Sequence, residues 1–350
     1  MKQIGLFDED RRLARLSEMG DPLEKVSRAV NWEIFRPVLN LKFYKKEERK
    51  AGGRPAWDYV LMFKILLLQA WYNIADDKTE YMINDRLSFQ RFLGLSLGSK
   101  VPDAKTIWLF RDTLSKNGAD KELFALFTEQ MEDQGVITRK GSIVDASFVD
   151  APRQRNTREE NQTIKEGRIP EEWKDAENAN KKEQKDTDAR WAKKNKEVHY
   201  GYKDHVKVDA DSKMIVNFEV TDAAVHDSQA IVELCDKKDE VINADSAYVG
   251  EDLERELKEK CAEDVKRQIN EKGYRNRPLT EEQKASNREK SRVRARVEHV
   301  FGHITNAMGG MTIRCIGLRR ARCAITFKNL AYNLSRYAYL RFAKKELLPV

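Results

Sequence analysis

Up to about residue 140 the apolar residues recur at three- and four-residue spacing, the period of helices with one buried face. Asp21–Leu39 opens on an aspartate followed by Pro22, a cap and a first-turn proline, and predicts a first helix. The apolar run Tyr59–Ile74, interrupted by Lys64 and Gln69, reads as a buried helix from about Trp57, too short to cross a bilayer comfortably. A third helix is predicted over Asp77–Leu95 and a fourth from Asp103, which stands as its cap. The last two, joined by the glycine-containing Gly94–Pro102, have the form of a helix-turn-helix with a long turn. On that reading Lys105, Thr106 and Arg111 face DNA. An ordinary helical bundle with those residues on its solvent side has the same pattern.

Beyond residue 140 the period shortens to two. Gly141–Pro152 alternates and is rich in Ile, Val and Phe, hence a strand. Arg153–Glu197 then carries thirteen Lys or Arg and eleven Asp or Glu with few large apolar residues, too few to form a core, and reads as a charged insertion. Val198–Asp211 and Lys213–Asp222 predict a hairpin. Next come a helix over Ser228–Lys237, a short strand running into Asp245, a helix over Glu251–Cys261, a short strand near Asp264–Ile269, a loop over Tyr274–Thr280 and a long helix from about Thr280. Three strands that can pair antiparallel, followed by alternating helices and strands, predict an α/β fold: a mixed sheet flanked by helices, in the layout of a ribonuclease H-like domain. The expected division is a helical DNA-binding domain at 1–138 and an α/β domain at 139–345 carrying the insertion at 153–197.

Charge sharpens this. The 350 residues carry a net charge of +7, but Asn287–Lys345 alone holds fourteen Lys or Arg against two acids, a local +12 that leaves the remainder at −5. Such a basic C-terminal segment suits a phosphate backbone, and a solvated basic face or an RNA-binding tail has the same footprint. The four cysteines form no CxxC pair and the five histidines do not join them at zinc spacing, so neither a disulfide framework nor a zinc knuckle is expected. With no apolar signal core near residue 1 and no membrane span, the expected location is cytoplasmic, on the nucleoid when DNA is bound.

Three acids stand out. Asp145 sits mid-strand in Ser142–Phe148, where an unpaired carboxylate is costly, and Asp245 ends the apolar run of the later strand. Glu298 lies on the long helix: at 100° per residue from Val293, the stripe Val297, Val300, Phe301 and Ile304 spans roughly −20° to 80° and Glu298 falls at about 140°, at its edge. Arg294 shares that side, whereas Arg292 and Arg296 point away and are candidates for holding DNA. Converging carboxylates would bind two Mg²⁺ ions, Mn²⁺ substituting, for phosphodiester chemistry. Alternatively, Arg294 and Glu298 form an ordinary i,i+4 helix pair. On the hairpin, His199, Lys203 and His205 are either DNA contacts or polar strand positions; Trp173 and Trp191 either anchor the insertion or stack on bases.

The motifs at Ile143–Asn156, Gln184–Asp209, Val220–Ser228, Asn243–Gly250 and Arg294–Ile304 resemble those of the DDE transposases of the insertion-sequence-five (Harbinger-related) family, over about Asp21–Leu340. The resemblance implies a ribonuclease H-like catalytic domain with Asp145, Asp245 and Glu298 as metal-binding triad. It also implies an N-terminal domain that helps bind terminal inverted repeats, and a homo-oligomer, at least a dimer, that holds two double-stranded ends and joins them to target DNA. This chain departs from the family in having Ser291 and Thr305 where Tyr and Lys are common. That departure keeps open a catalytically inactive, transposase-derived DNA-binding protein, and the metal chemistry alone also fits a structure-specific nuclease.

Overall fold

Asp21 does cap the first predicted helix, accepting from Leu23 N at 2.9 Å, with Pro22 at the first position. The computed structural model describes residues 7–43, 55–194, 196–248, 251–262, 264–273 and 278–343; Lys344, Lys345 and the first four residues of the predicted loop at 274–280 lie outside them. The N-terminal helices are α1 (Asp8–Glu18), α2 (Pro22–Ala29), α3 (Arg36–Phe43), α4 (Tyr59–Tyr72), α5 (Asp76–Asp85), α6 (Leu87–Leu93), α7 (Ala104–Asn117) and α8 (Ala119–Asp133).

Two predicted helices are each broken in two. Asp21–Leu39 breaks where the Asn31 side chain takes Glu33 N, an alternative to the helical bond that starts a 3-10 turn over Trp32–Phe35. Asp77–Leu95 breaks at Arg86, whose backbone is extended. Helix α4 is apolar almost all round and correspondingly buried on most of its positions, with Phe63 against Phe35 at 4.7 Å between ring centroids. No helix among the described residues is long and apolar enough to cross a membrane.

The remaining elements are β1 (Ser142–Asp150), α9 (Arg158–Lys165), α10 (Ala179–Glu183), β2 (Arg190–Lys194), β3 (Glu197–Asp209), β4 (Ile215–Asp222), α11 (Asp227–Leu234), β5 (Val241–Ala244), α12 (Glu251–Lys260), β6 (Lys266–Ile269), α13 (Glu281–Ala307) and α14 (Leu318–Ala343). The chain divides into two compact units, Met1–Gln130 with Thr326–Val350, and Met131–Ile325. The far end differs from the expected 139–345. Within the first unit, the second half of α14 is tied to the end of α4: Trp71 Nε1 donates to Ala331 O at 2.7 Å and Lys328 Nζ to Ala70 O at 2.8 Å.

In the second unit the sheet is mixed. Strand β1 pairs antiparallel with β3 and parallel with β5, and β5 pairs parallel with β6. Both β2 and β4 run antiparallel to β3 on its other edge, β2 along its first residues and β4 along the rest. The end of the charged insertion is thus an edge strand. An edge tolerates charged side chains on both faces, so Arg190–Lys194 shows no apolar alternation. The rest of the insertion folds around Trp173, fully buried, whose Nε1 donates to Glu160 Oε1 at 2.8 Å.

Helices cover both sheet faces. Val144, Ile242 and Ala244 pack with α11 and α12 residues Ile231, Leu234 and Leu257 on one face. Helix α13 lies on the other, burying Val297, Val300 and Ile304, the stripe expected from its periodicity apart from the half-buried Phe301. Lys203, His205 and Lys207 project from β3 beneath the α11 layer, which accounts for their burial. Lys203 Nζ binds Asp227 at 2.8 Å and Val225 O at 2.6 Å, and Lys207 Nζ binds Asp239 at 2.8 Å. His205 is 0% exposed with Nε2 2.9 Å from Thr221 Oγ1. Lys203 and His205 are therefore interior groups, not the DNA-facing hairpin positions their polarity suggested.

Gly201 lies where β1 and β2 pair with β3 from opposite sides, opposite Asp150 and Arg190. Its φ is +148°, and a Cβ there would stand 2.2 Å from Val149 O. The strand bends at this point: Phe148 pairs in register with Lys203, yet stacks on His199 at 4.1 Å between centroids, where a straight strand would separate residues four apart by about 13 Å.

Gly201→Ala is expected to lower stability by roughly 2 kcal/mol or more, seen as a lower urea midpoint with unchanged soluble mass. Burial is the main cause that lowers the His205 pKa to about 4, with Asp227 opposing and Lys203 assisting. The unfolded chain therefore takes this proton first. Stability from His205 is complete above pH 6.5 and is lost as pH falls to about 4, by roughly 3 kcal/mol. Urea unfolding at pH 7 and pH 4.5 should show a smaller acid loss for His205→Gln than for the unsubstituted protein.

Candidate active site

The parallel pairing of β1 with β5 sets the site. Ser142 is opposite Ile242 and Ile143 opposite Asn243, an offset of one hundred positions. The same offset carried two residues further places Asp145 beside Asp245. Because Val144 and Ala244 face the α11 core, the two aspartates face the opposite side, toward α13.

Arg294 enters there. Its Nη1 lies 3.5 Å from Asp145 Oδ2 and 3.8 Å from Asp245 Oδ2, so one guanidinium nitrogen bridges both carboxylates. The other oxygens are held locally, Asp145 Oδ1 accepting from Ala146 N at 2.8 Å and Asp245 Oδ1 from Ser246 N at 2.5 Å. Burial is the main influence on the Asp145 carboxyl and raises it above the usual carboxylate range. The Ala146 N–H and the charges of Arg294 and Lys194 pull it back down, and Asp245 pushes it up. One oxygen of each aspartate is thus turned toward a single cation, an arrangement whose hard donors suit a divalent metal.

The third expected acid does not join them. Glu298 is exposed, one turn along α13, and among the described residues no group of three or more His, Cys, Asp or Glu is gathered to hold a metal ion. Arg294 and Glu298 share a helix side, and the positive member turns in toward the two negative charges, as Coulomb attraction requires.

The other expected DNA contacts are scattered. Arg292 is exposed on α13, whereas Arg296 Nη1 donates to Ala210 O at 2.8 Å and faces Asp211 at 3.3 Å. In the helical unit Lys105 is exposed, but Arg111 forms a two-pronged pair with Asp76 at 2.7 and 2.8 Å and also binds Gln69, which makes it a brace between α7 and α5.

Two residues near the aspartates escaped sequence reasoning. Tyr248 follows Asp245 by three positions, is 2% exposed, and its hydroxyl is buried without a hydrogen-bond partner among the described residues, as is Nε of Arg294. Burial raises its phenol well above the ordinary range, and Asp227, Asp145 and Asp245 add to the rise. The spacing of Tyr248 from Asp245, one helical turn, was the available signal. Lys194 falls in the segment that reads as a charged insertion, yet its ammonium lies 6.0 Å from the Phe148 ring of β1 and its charge acts on Asp145.

The chain matches two known families. The family described as Transposase DDE domain matches residues 137–334, and that described as Transposase domain (DUF772) matches residues 11–113. A solved structure of a piggyBac transposase synaptic complex with hairpin DNA is similar at 14% identity, over 91% of this chain and 76% of that chain, with a TM-score of 0.47. The first of these matches takes in both aspartates, Arg294 and Glu298 and more than half of the sequence, and by it the chain belongs to the Transposase DDE domain family.

Proposed function

We propose that this protein is a DNA transposase of the insertion-sequence-five (Harbinger-related) group, which cleaves element ends at terminal inverted repeats and joins the freed 3′-hydroxyls to target DNA. The observation that carries the reading is the meeting of Asp145, on β1, with Asp245, just past the end of the adjacent parallel strand β5, each with one oxygen turned to the same Arg294 nitrogen. The strand order, with three strands antiparallel around β3 and parallel pairing onward through β5 and β6, supports a ribonuclease H-like catalytic domain.

In each step an oxygen nucleophile, water for cleavage and a 3′-hydroxyl for joining, forms a bond to phosphorus while the bridging P–O bond breaks and the leaving oxygen is released as a 3′-hydroxyl. Bound Mg²⁺, or Mn²⁺ in its place, would activate the nucleophile and neutralise charge on the leaving oxygen. Asp145 and Asp245 would hold the ion, with Glu298 as the further carboxylate donor from α13. Arg294 neutralises the two aspartates where their charges meet, and the exposed Arg292 offers a cation to the DNA backbone. The DNA-binding role of α7 rests on Lys105. A homo-oligomer, at least a dimer, would hold two ends, in the cytoplasm on the nucleoid.

A second reading, a DNA-binding protein without catalysis, is favoured by Ser291 and Thr305 in place of Tyr and Lys. Ser291 Oγ accepts from Asn270 Nδ2 at 3.0 Å, a structural bond, and Thr305 is exposed and uncharged.

The test is cleavage of linear DNA carrying the element's terminal inverted repeats in Mg²⁺ or Mn²⁺. Asp145→Asn, Asp245→Asn and Glu298→Gln should each cut at less than about a thousandth of the normal rate while binding the ends normally. Cleavage by Asp145→Asn at the normal rate refutes the assignment; salt-sensitive end binding with no cleavage by the unsubstituted protein selects the second reading.

A further inference from the structure

Arg294 is held in a different way from the bracing arginine of the helical unit. Arg111 meets Asp76 with two nitrogens at 2.7 and 2.8 Å, the two-pronged geometry that fixes a guanidinium in place. Arg294 meets both aspartates with a single nitrogen, at 3.5 and 3.8 Å, each contact longer than a charge-assisted hydrogen bond of about 2.8 Å. Its Nε is buried with no hydrogen-bond partner among the described residues. Net charge, and not a set of directed bonds, keeps this guanidinium between the two acids.

The carboxylates themselves are fixed. Asp145 Oδ1 accepts from Ala146 N and Asp245 Oδ1 from Ser246 N, so each is oriented by backbone next to it in the chain. Val297, Val300 and Ile304 hold the α13 backbone against the sheet, but Arg294 hangs from it by a long stem with several rotatable bonds. The mobile member of the cluster is therefore the arginine. Asp245 keeps 44% of its side-chain surface open and Arg294 25%, which leaves an approach from solvent. A divalent cation carries twice the charge of a guanidinium and bonds carboxylate oxygen directly, at about 2.0 to 2.6 Å. Bound to the same two oxygens it would stand beside Arg294, like charge against like, and would compete with it for the pair.

We propose that Arg294 is a displaceable counter-ion that keeps the metal affinity of the Asp145–Asp245 pair low until a DNA phosphate draws the guanidinium away. The proposal rests on the DNA-transposase reading above and deepens it, because metal loading then waits for DNA. Linkage makes the effect reciprocal: DNA and metal strengthen each other's binding by the same factor.

The test is Mn²⁺ binding to the full chain without DNA, followed by the electron paramagnetic resonance signal of the free ion. Arg294→Ala should bind Mn²⁺ about tenfold more tightly than the unsubstituted protein, and so should Arg294→Gln, which keeps the bulk and an N–H donor should the alanine variant not fold. Arg294→Lys, which keeps the charge, and Arg292→Ala, which removes the same charge from the exposed side of α13, should each stay within about twofold of the unsubstituted protein. Linear DNA carrying the terminal inverted repeats should tighten Mn²⁺ binding about tenfold in the unsubstituted protein and by less than about threefold in Arg294→Ala. Mn²⁺ binding that is no tighter in Arg294→Ala and Arg294→Gln, or equally tightened by Arg292→Ala, overturns the counter-ion assignment. An equal effect of DNA on the unsubstituted protein and Arg294→Ala overturns the transfer of the guanidinium to phosphate. Asp145→Asn combined with Arg294→Ala should lose the tight Mn²⁺ binding; its survival there overturns the metal-site reading itself, a failure distinct from the other two.

Discussion

Two carboxylates set side by side repel each other, and Asp145, the less exposed of the pair, is partly withdrawn from the solvent that would screen the repulsion. Asp145 and Asp245 are in this position because the β1–β5 register leaves them no choice: shifting either strand by one residue would bury an aspartate in the α11 face and expose its apolar neighbour. The opposing charge comes from α13, and Arg294 supplies it. The sheet therefore needs α13 for electrostatic as well as apolar reasons, and the apolar stripe of Val297, Val300 and Ile304 determines which arginine of that basic helix arrives at the pair.

Much of this is visible in a one-dimensional reading, for identifiable reasons. Asp145 and Asp245 were found because each interrupts an apolar run, and apolar runs are where a charge needs an explanation. The strands and the two-sided helical cover followed from periodicity. What escaped was decided by tertiary contact. The break at Asn31 depends on one side chain competing for a backbone N–H, and the edge strand Arg190–Lys194 needs no apolar pattern because half of its surroundings is water. Polarity misled at Lys203, His205 and Arg111: each reads as a surface cation, and each is held by a partner supplied from a distant part of the chain or from an adjacent helix.

Glu298 shows the limit from the other direction. Helical phase put it at the edge of the buried stripe, and an edge position has two rotameric outcomes, toward the sheet or toward solvent. The structure takes the second, because the charge the aspartates attract is Arg294 one turn earlier. Phase fixes which side of a helix a residue occupies; charge decides which of two neighbours on that side turns inward.

The hundred-residue offset between the paired aspartates also has a temporal meaning. A chain emerging from the ribosome presents Asp145 long before β5, and α13 later still, so the cluster of opposite charges forms only once α13, which begins at Glu281, has been made. An interrupted translation product that ends before Glu281 contains both acids and the insertion but lacks the arginine that lets them sit together. In such an incomplete copy the two aspartates would face each other without the cation that balances them.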